Sequence, residues 1–157
     1  MAAWPSGHVH LQGLRQPAHL PADPGTPPRV TYVLIAEDDA DVAELLRQVL
    51  SEHLDVATEN VANGALVMDS LVARRPDLLI LDIEMPGLSG LDVFDLMRND
   101  RHWQGVPILF LTALPEKAST ANAPAGIHEI LAKPFDINGL LAMVERLMAG
   151  KRPEVAA

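Results

Sequence analysis

The sequence predicts an α/β domain with a doubly wound, five-stranded parallel sheet and helices on both faces. Three observations carry this. Short β-favouring runs recur five times between residues 31 and 132. Between them the apolar spacing changes to that of one helix face. Most of the runs are apolar at consecutive rather than alternate positions, as in strands covered on both sides.

Thr31 to Ala36 (TYVLIA) is the first strand, and Val42, Leu45, Leu46, Val49 and Leu50 then mark a helix face. Val56 to Glu59 is a weak second strand. Leu66, Val67, Leu71 and Val72 mark a second helix, which ends before Pro76 because the residue preceding a proline avoids the helical region. Leu78 to Leu81 (LLIL) is a buried strand, and Leu91, Phe94 and Met97 suggest the third helix. Ile108 to Leu111 (ILFL) is the fourth strand, following Pro107. Residues 116 to 125 (EKASTANAPA) carry no large apolar side chain and include Pro124, so a fourth helix there is short, poorly anchored and mobile. Ile130 to Ala132 is the fifth strand. Asp136 caps a last helix with Leu140, Leu141, Val144, Leu147 and Met148 facing inward.

The 157 residues suit one folded unit, expected over residues 30–148. Residues 1–29 hold six of the thirteen prolines and three of the ten glycines and have no sustained period, which reads as a disordered arm in which His8, His10 and Trp4 need no special role. Residues 149–157 read as a short flexible tail. Composition is 48% hydrophobic and only 4% aromatic, in keeping with aliphatic α/β packing. Residues 30–148 carry 19 acids and 8 bases, a balance of −11, which argues against a nucleic-acid surface. With no cysteine there is neither a disulfide nor a thiolate metal site, in accord with a reducing compartment. No apolar run approaches the roughly 20 residues of a membrane span, so a cytoplasmic protein without membrane insertion is expected.

Ligands of such folds bind at the carboxyl ends of the strands. There the sequence places Glu37, Asp38 and Asp39 after strand one, Asp82 at the end of strand three, Thr112 at the end of strand four and Lys133 after strand five. Converging carboxylates repel, and a hard divalent cation with oxygen ligands relieves the repulsion, with magnesium the natural occupant. An Asp82 oxygen is then placed to attack phosphorus, with metal and Lys133 neutralising the equatorial oxygens and the Thr112 hydroxyl donating a hydrogen bond. Each residue taken singly has a plainer reading. The acids of 37–41 suit a helix cap, with Asp39 the cap itself. Asp82 suits a turn, Thr112 a strand end and Lys133 a solvated surface. Their joint position at one sheet edge favours phosphoryl chemistry.

In the stretches VLIAEDD (33–39), LLILDIEMPGLSG (78–90), ILFLTA (108–113) and LAKPF (131–135), the sequence resembles the receiver domains of two-component response regulators over about residues 30–148. The resemblance implies a flavodoxin-like receiver fold with strand order 2-1-3-4-5. It implies Asp82 as phosphoacceptor, with magnesium held by Glu37, Asp38, Asp82 and the backbone carbonyl of Glu84. Thr112 and Lys133 take the family's hydroxyl and lysine roles, and the Lys133–Pro134 peptide is expected to be cis. The implied partners are a sensor histidine kinase or histidine phosphotransfer protein and a downstream protein target, met through the face of helix four, strand five and helix five. Ile130 stands where many relatives carry an aromatic switch, so no ring flips outward. The loop after strand four is about one residue shorter than usual. Glu84 and Leu114 occupy the two positions that tune phosphoryl lifetime in the family; Leu114 cannot orient water, which predicts slow or moderate self-dephosphorylation.

Three functions follow. The first is a stand-alone, non-enzymatic receiver that switches on phosphorylation or relays the phosphoryl group. The second is a phosphorylation-independent adaptor of receiver fold. The third is an aspartate-based phosphohydrolase, with Glu84 as its acid and base. Histidines 53, 102 and 128 lack the four-helix context of a phosphohistidine donor and read as surface residues.

Overall fold

In the computed structural model, residues 29–118 and 128–151 are described. The order of elements is β1 (Thr31–Ala36), α1 (Ala40–His53), β2 (Val56–Val61), α2 (Gly64–Ala73), β3 (Leu78–Asp82), α3 (Gly90–Arg98), β4 (Ile108–Thr112), α4 (Pro115–Ala118), β5 (His128–Ala132) and α5 (Ile137–Lys151), with a 3-10 turn at Arg101–Trp103. All strand pairs are parallel and the sheet order is β2-β1-β3-β4-β5, as the resemblance implies.

Consecutive apolar residues in the central strands serve two cores, because neighbouring side chains of a strand point to opposite faces. Leu34, Leu79, Leu81, Ile108 and Phe110 pack against Val67 and Leu71 of α2 and Val93, Phe94 and Met97 of α3. Val33, Ile35, Leu78, Ile80, Leu109 and Leu111 pack against Leu46, Val49 and Leu50 of α1 and Leu140, Val144 and Leu147 of α5. The register keeps the faces separate: Val33 pairs with Leu78 on one side and Leu34 with Leu79 on the other.

Several boundaries and faces differ from expectation. β2 runs on to Val61 and β5 begins at His128, because these outer strands pair with one neighbour and tolerate polar residues such as Glu59, Asn60 and Glu129. Leu45, Leu66 and Val72 are exposed, while Ala43 and Gly64 are buried in their helices. Leu141 and Met148 are only half-buried. α4 covers Pro115–Ala118; the remainder of the expected fourth helix, the N-terminal arm and the end of the tail lie outside the described residues. Among the described residues, no helix is long and apolar enough to cross a membrane.

Candidate functional site at the carboxyl edge of the sheet

The ends of four strands converge on one edge, and backbone hydrogen bonds extend the ladder past the strands themselves. Glu37 N–H donates to Val61 O at 3.0 Å, Ile83 N–H to Leu111 O at 2.9 Å and Lys133 N–H to Thr112 O at 2.9 Å. These bonds fix where the next side chains emerge. Glu37 leaves β1 buried, Asp82 ends β3 buried, Thr112 ends β4 buried, and Lys133 follows β5 half-buried. The Lys133–Pro134 peptide is cis, as expected.

Local chemistry shapes the loops around this edge. Asp39 is the N-cap of α1, its carboxylate accepting from the backbone N–H groups of Asp41 and Val42, so the plainer capping reading holds for this acid. Asp136 caps α5 by accepting from Gly139 N–H at 2.5 Å. In the β3–α3 loop, Gly87 adopts φ +79°, a conformation that side chains with a Cβ rarely enter. Gly90 then passes so close to β3 that a Cβ there would sit 2.5 Å from Asp82 O. Ser89 and Asp92 close a reciprocal capping box at the start of α3.

Glu37, Asp38 and Asp82 each bring a carboxylate oxygen to within 4.8 Å of the others. Asp38 is exposed, so the group opens to solvent on one side while Glu37 and Asp82 lie beneath. Lys133 Nζ reaches in to 2.9 Å from Glu37 Oε1 and 3.5 Å from Asp82 Oδ1. Burial pushes the Asp82 carboxyl up to about 8; the adjacent Glu37 carboxylate adds to the rise, and Lys133 opposes it. Burial would lower the Lys133 ammonium, but Glu37 and Asp82 outweigh it and hold the group above its ordinary value. Three hard oxygen donors, two of them buried and one raised in pKa chiefly by that burial, form a donor set that fits a magnesium ion.

Thr112 and Glu84 complete the edge. Thr112 Oγ1 donates to Glu84 Oε2 at 2.7 Å, and Ala113 N–H donates to Glu84 Oε1 at 3.3 Å. Leu114 N–H in turn donates to Thr112 Oγ1 at 2.9 Å. The sequence reading considered Glu84 for its backbone carbonyl, its lifetime-tuning position and an acid-base role; the direction of its side chain, across to β4, had no signal in spacing. Ile130 is half-buried beside Phe110, its partner across the β4–β5 ladder.

The family model of the response regulator receiver domain matches residues 33–145. The chain belongs to that family. MprA, a response regulator of Mycobacterium tuberculosis, is 36% identical over 126 residues, which are 80% of this chain and 54% of that protein. MtrA of Mycolicibacterium paratuberculosis, a DNA-binding response regulator, is 35% identical over 71% of this chain and 48% of its own. The receiver thus spans about half the length of these curated relatives. Among solved structures, the receiver domain of a signal transduction histidine kinase from Syntrophus aciditrophicus has a TM-score of 0.71 and 30% identity, over 82% of this chain and 98% of that one. The response regulator TrrA of Thermotoga maritima, in complex with Mg2+ and BeF, has a TM-score of 0.66 and 30% identity, over 75% and 99%.

The chain therefore carries a receiver domain of two-component signalling. Receivers interact with histidine kinases or phosphotransfer proteins and bind Mg2+ at an acidic pocket, and the Glu37, Asp38 and Asp82 group is consistent with one. His53 and His102 are exposed as expected, whereas His128 is half-buried with its ring 5.9 Å from that of Phe110.

Proposed function

We propose that this receiver is a phosphorylation-dependent signalling switch in the cytoplasm, with Asp82 as the phosphoacceptor. The observation that carries the reading is the convergence of a buried Asp82 carboxyl with Glu37, Asp38 and the ammonium of Lys133. Glu37, Asp38, Asp82 and the backbone carbonyl of Glu84 would hold Mg2+, which supplies positive charge to the transferring phosphoryl oxygens. An Asp82 oxygen bonds to phosphorus while the bond from phosphorus to the donor histidine nitrogen breaks, its electron pair leaving with the imidazole. Lys133 stands over the same oxygen edge and neutralises charge developing on the phosphoryl group. The Thr112 hydroxyl and the Ala113 N–H supply donors at the end of β4.

The output we infer goes through protein contacts, supported by the acidic balance of residues 30–148. A phosphohydrolase would need Glu84 free to shuttle a proton. Its carboxylate is instead engaged by Thr112 and Ala113, which favours a signal transducer over an enzyme.

The test is intact-mass spectrometry after incubation with magnesium and acetyl phosphate, comparing wild type with Asp82→Asn and Asp38→Ala. One added HPO3 on wild type, absent without metal and in both variants, is the expected result. Wild type that stays unmodified even with saturating magnesium and a cognate kinase would leave a phosphate-independent adaptor as the reading.

A further inference from the structure

Two hydrogen-bond donors at the end of β4, the Thr112 hydroxyl and the Ala113 N–H, converge on one carboxylate, that of Glu84. Each donates to a different oxygen, so an anion with two acceptor atoms already occupies the position they serve. Glu84 N–H also donates to Asp82 Oδ1 at 3.2 Å, which ties the same residue to the acceptor. Glu84 is half-buried, and its negative charge sits beside an edge that already carries Glu37, Asp38 and Asp82.

We propose that the Glu84 side chain is an internal stand-in for the phosphoryl group, a positioning residue that occupies the donors of Thr112 and Ala113 until phosphorylation expels it. This rests on Asp82 being the phosphoacceptor. A phosphoryl group brings close to two negative charges and three strong acceptor oxygens to Asp82, two residues from Glu84. Two anions cannot share one pair of donors, and repulsion between them favours release of the one that is not covalently held at the edge. The phosphoryl group takes the donors and the Glu84 carboxylate swings out to solvent. That swing also supplies a moving part that Ile130 cannot: an aliphatic side chain packed on Phe110 carries neither a ring nor a hydroxyl to expose. The signal would then be a charge appearing at the mouth of the β3–α3 loop.

The inference is tested with wild type, Glu84→Gln and Glu84→Ala, using magnesium and acetyl phosphate as probes. The Asp82 phosphorylation rate is read by intact mass and the Ala113 amide by 1H–15N NMR. Freeing the donors should speed phosphorylation by about three- to tenfold in Glu84→Ala, the factor that one hydrogen bond is worth, with Glu84→Gln between the two. The Ala113 resonance should differ between wild type and Glu84→Ala before phosphorylation and coincide after it. A residue that merely braces the loop would leave a difference in both states. Equal rates within twofold, or a resonance difference that persists after phosphorylation, would overturn the stand-in role and leave Asp82 as acceptor. Failure of all three proteins to take up phosphate would overturn the phosphoacceptor reading and this inference together.

Discussion

The ammonium of Lys133 lies 2.9 Å from Oε1 of Glu37, closer than the 3.5 Å that separates it from Oδ1 of Asp82. Lys133 is thus first a counter-charge for the most buried acid of the edge, and only second a neighbour of Asp82. Glu37 owes its tolerance of burial to this contact and to the Asp39 N–H, which donates to its Oε2 at 3.1 Å.

Lys133→Met retains most of the aliphatic stem and removes the charge, so it isolates the electrostatic part of this role. The lysine is partly exposed, which moderates the loss, and we expect about 1–3 kcal/mol of destabilisation near neutral pH in the absence of metal. Urea unfolding measures it. A change below about 0.5 kcal/mol would mean that solvent screens Glu37 without help. On the proposed reaction, the same variant should phosphorylate at least about tenfold more slowly.

Gly90→Ala sets helix propensity against packing. Alanine is the better helix former by about 1 kcal/mol. However, its Cβ would sit 2.5 Å from Asp82 O and 2.9 Å from Ile83 Cα, both backbone atoms that cannot rotate aside. Packing wins, and we expect a net loss of about 1–3 kcal/mol. The end of β3 must shift to admit the methyl group, so on the proposed reaction the variant should also slow phosphorylation of Asp82. A thermal midpoint equal to wild type would show that the loop yields freely.

Much of the fold was legible because burial on both faces leaves an unbroken apolar run, and β1, β3 and β4 each have one. The outer strands were less legible. β2 and β5 carry Thr58, Glu59, Asn60, His128 and Glu129, and a polar residue on a strand with a single neighbour reads like a loop. Helix faces failed where the helix is apolar nearly all round. In α2, Leu66 and Val72 are exposed beside buried Val67 and Leu71, and periodicity has no contrast from which to choose. The convergence of Glu37, Asp82, Thr112 and Lys133 on one edge was legible because each directly ends or follows a strand. The Glu84 side chain was not, because its path to Thr112 depends on how β3 and β4 lie side by side.

That contrast yields a paired prediction for two apolar residues that a sequence reading treats alike. Phe110 is fully buried, with its ring edge-on to Phe94 at 5.4 Å, and Phe110→Ala should cost about 3–5 kcal/mol. Val72 is 75% exposed, and Val72→Ala should stay within about 0.5 kcal/mol of wild type. Chemical denaturation of both variants compares the two values directly, and equal losses would place the core elsewhere.

Asp82 gives the pH dependence its sign. In the folded protein its carboxyl is raised to about 8 from its ordinary value of 3.8, chiefly by burial and then by the Glu37 carboxylate. The folded state therefore holds a proton that the unfolded chain releases, and stability falls as pH rises between those values. The contribution of this group is fully present below about pH 4 and lost once pH passes about 8. Asp82→Asn removes the titration and should stabilise the protein without magnesium increasingly as pH rises, with a gain roughly three times larger at pH 8 than at pH 5. On the proposed reading, magnesium acts in the opposite direction on wild type. It favours the ionised carboxylate, so at ten times its dissociation constant it should restore about 1.4 kcal/mol at pH 8, and less in Asp82→Asn, which has lost a charged ligand. Thermal melts of both proteins at pH 5 and pH 8, with and without magnesium, separate the two effects. A stability difference between wild type and Asp82→Asn that is the same at both pH values would mean that Asp82 is ionised throughout, with Lys133 offsetting the burial penalty.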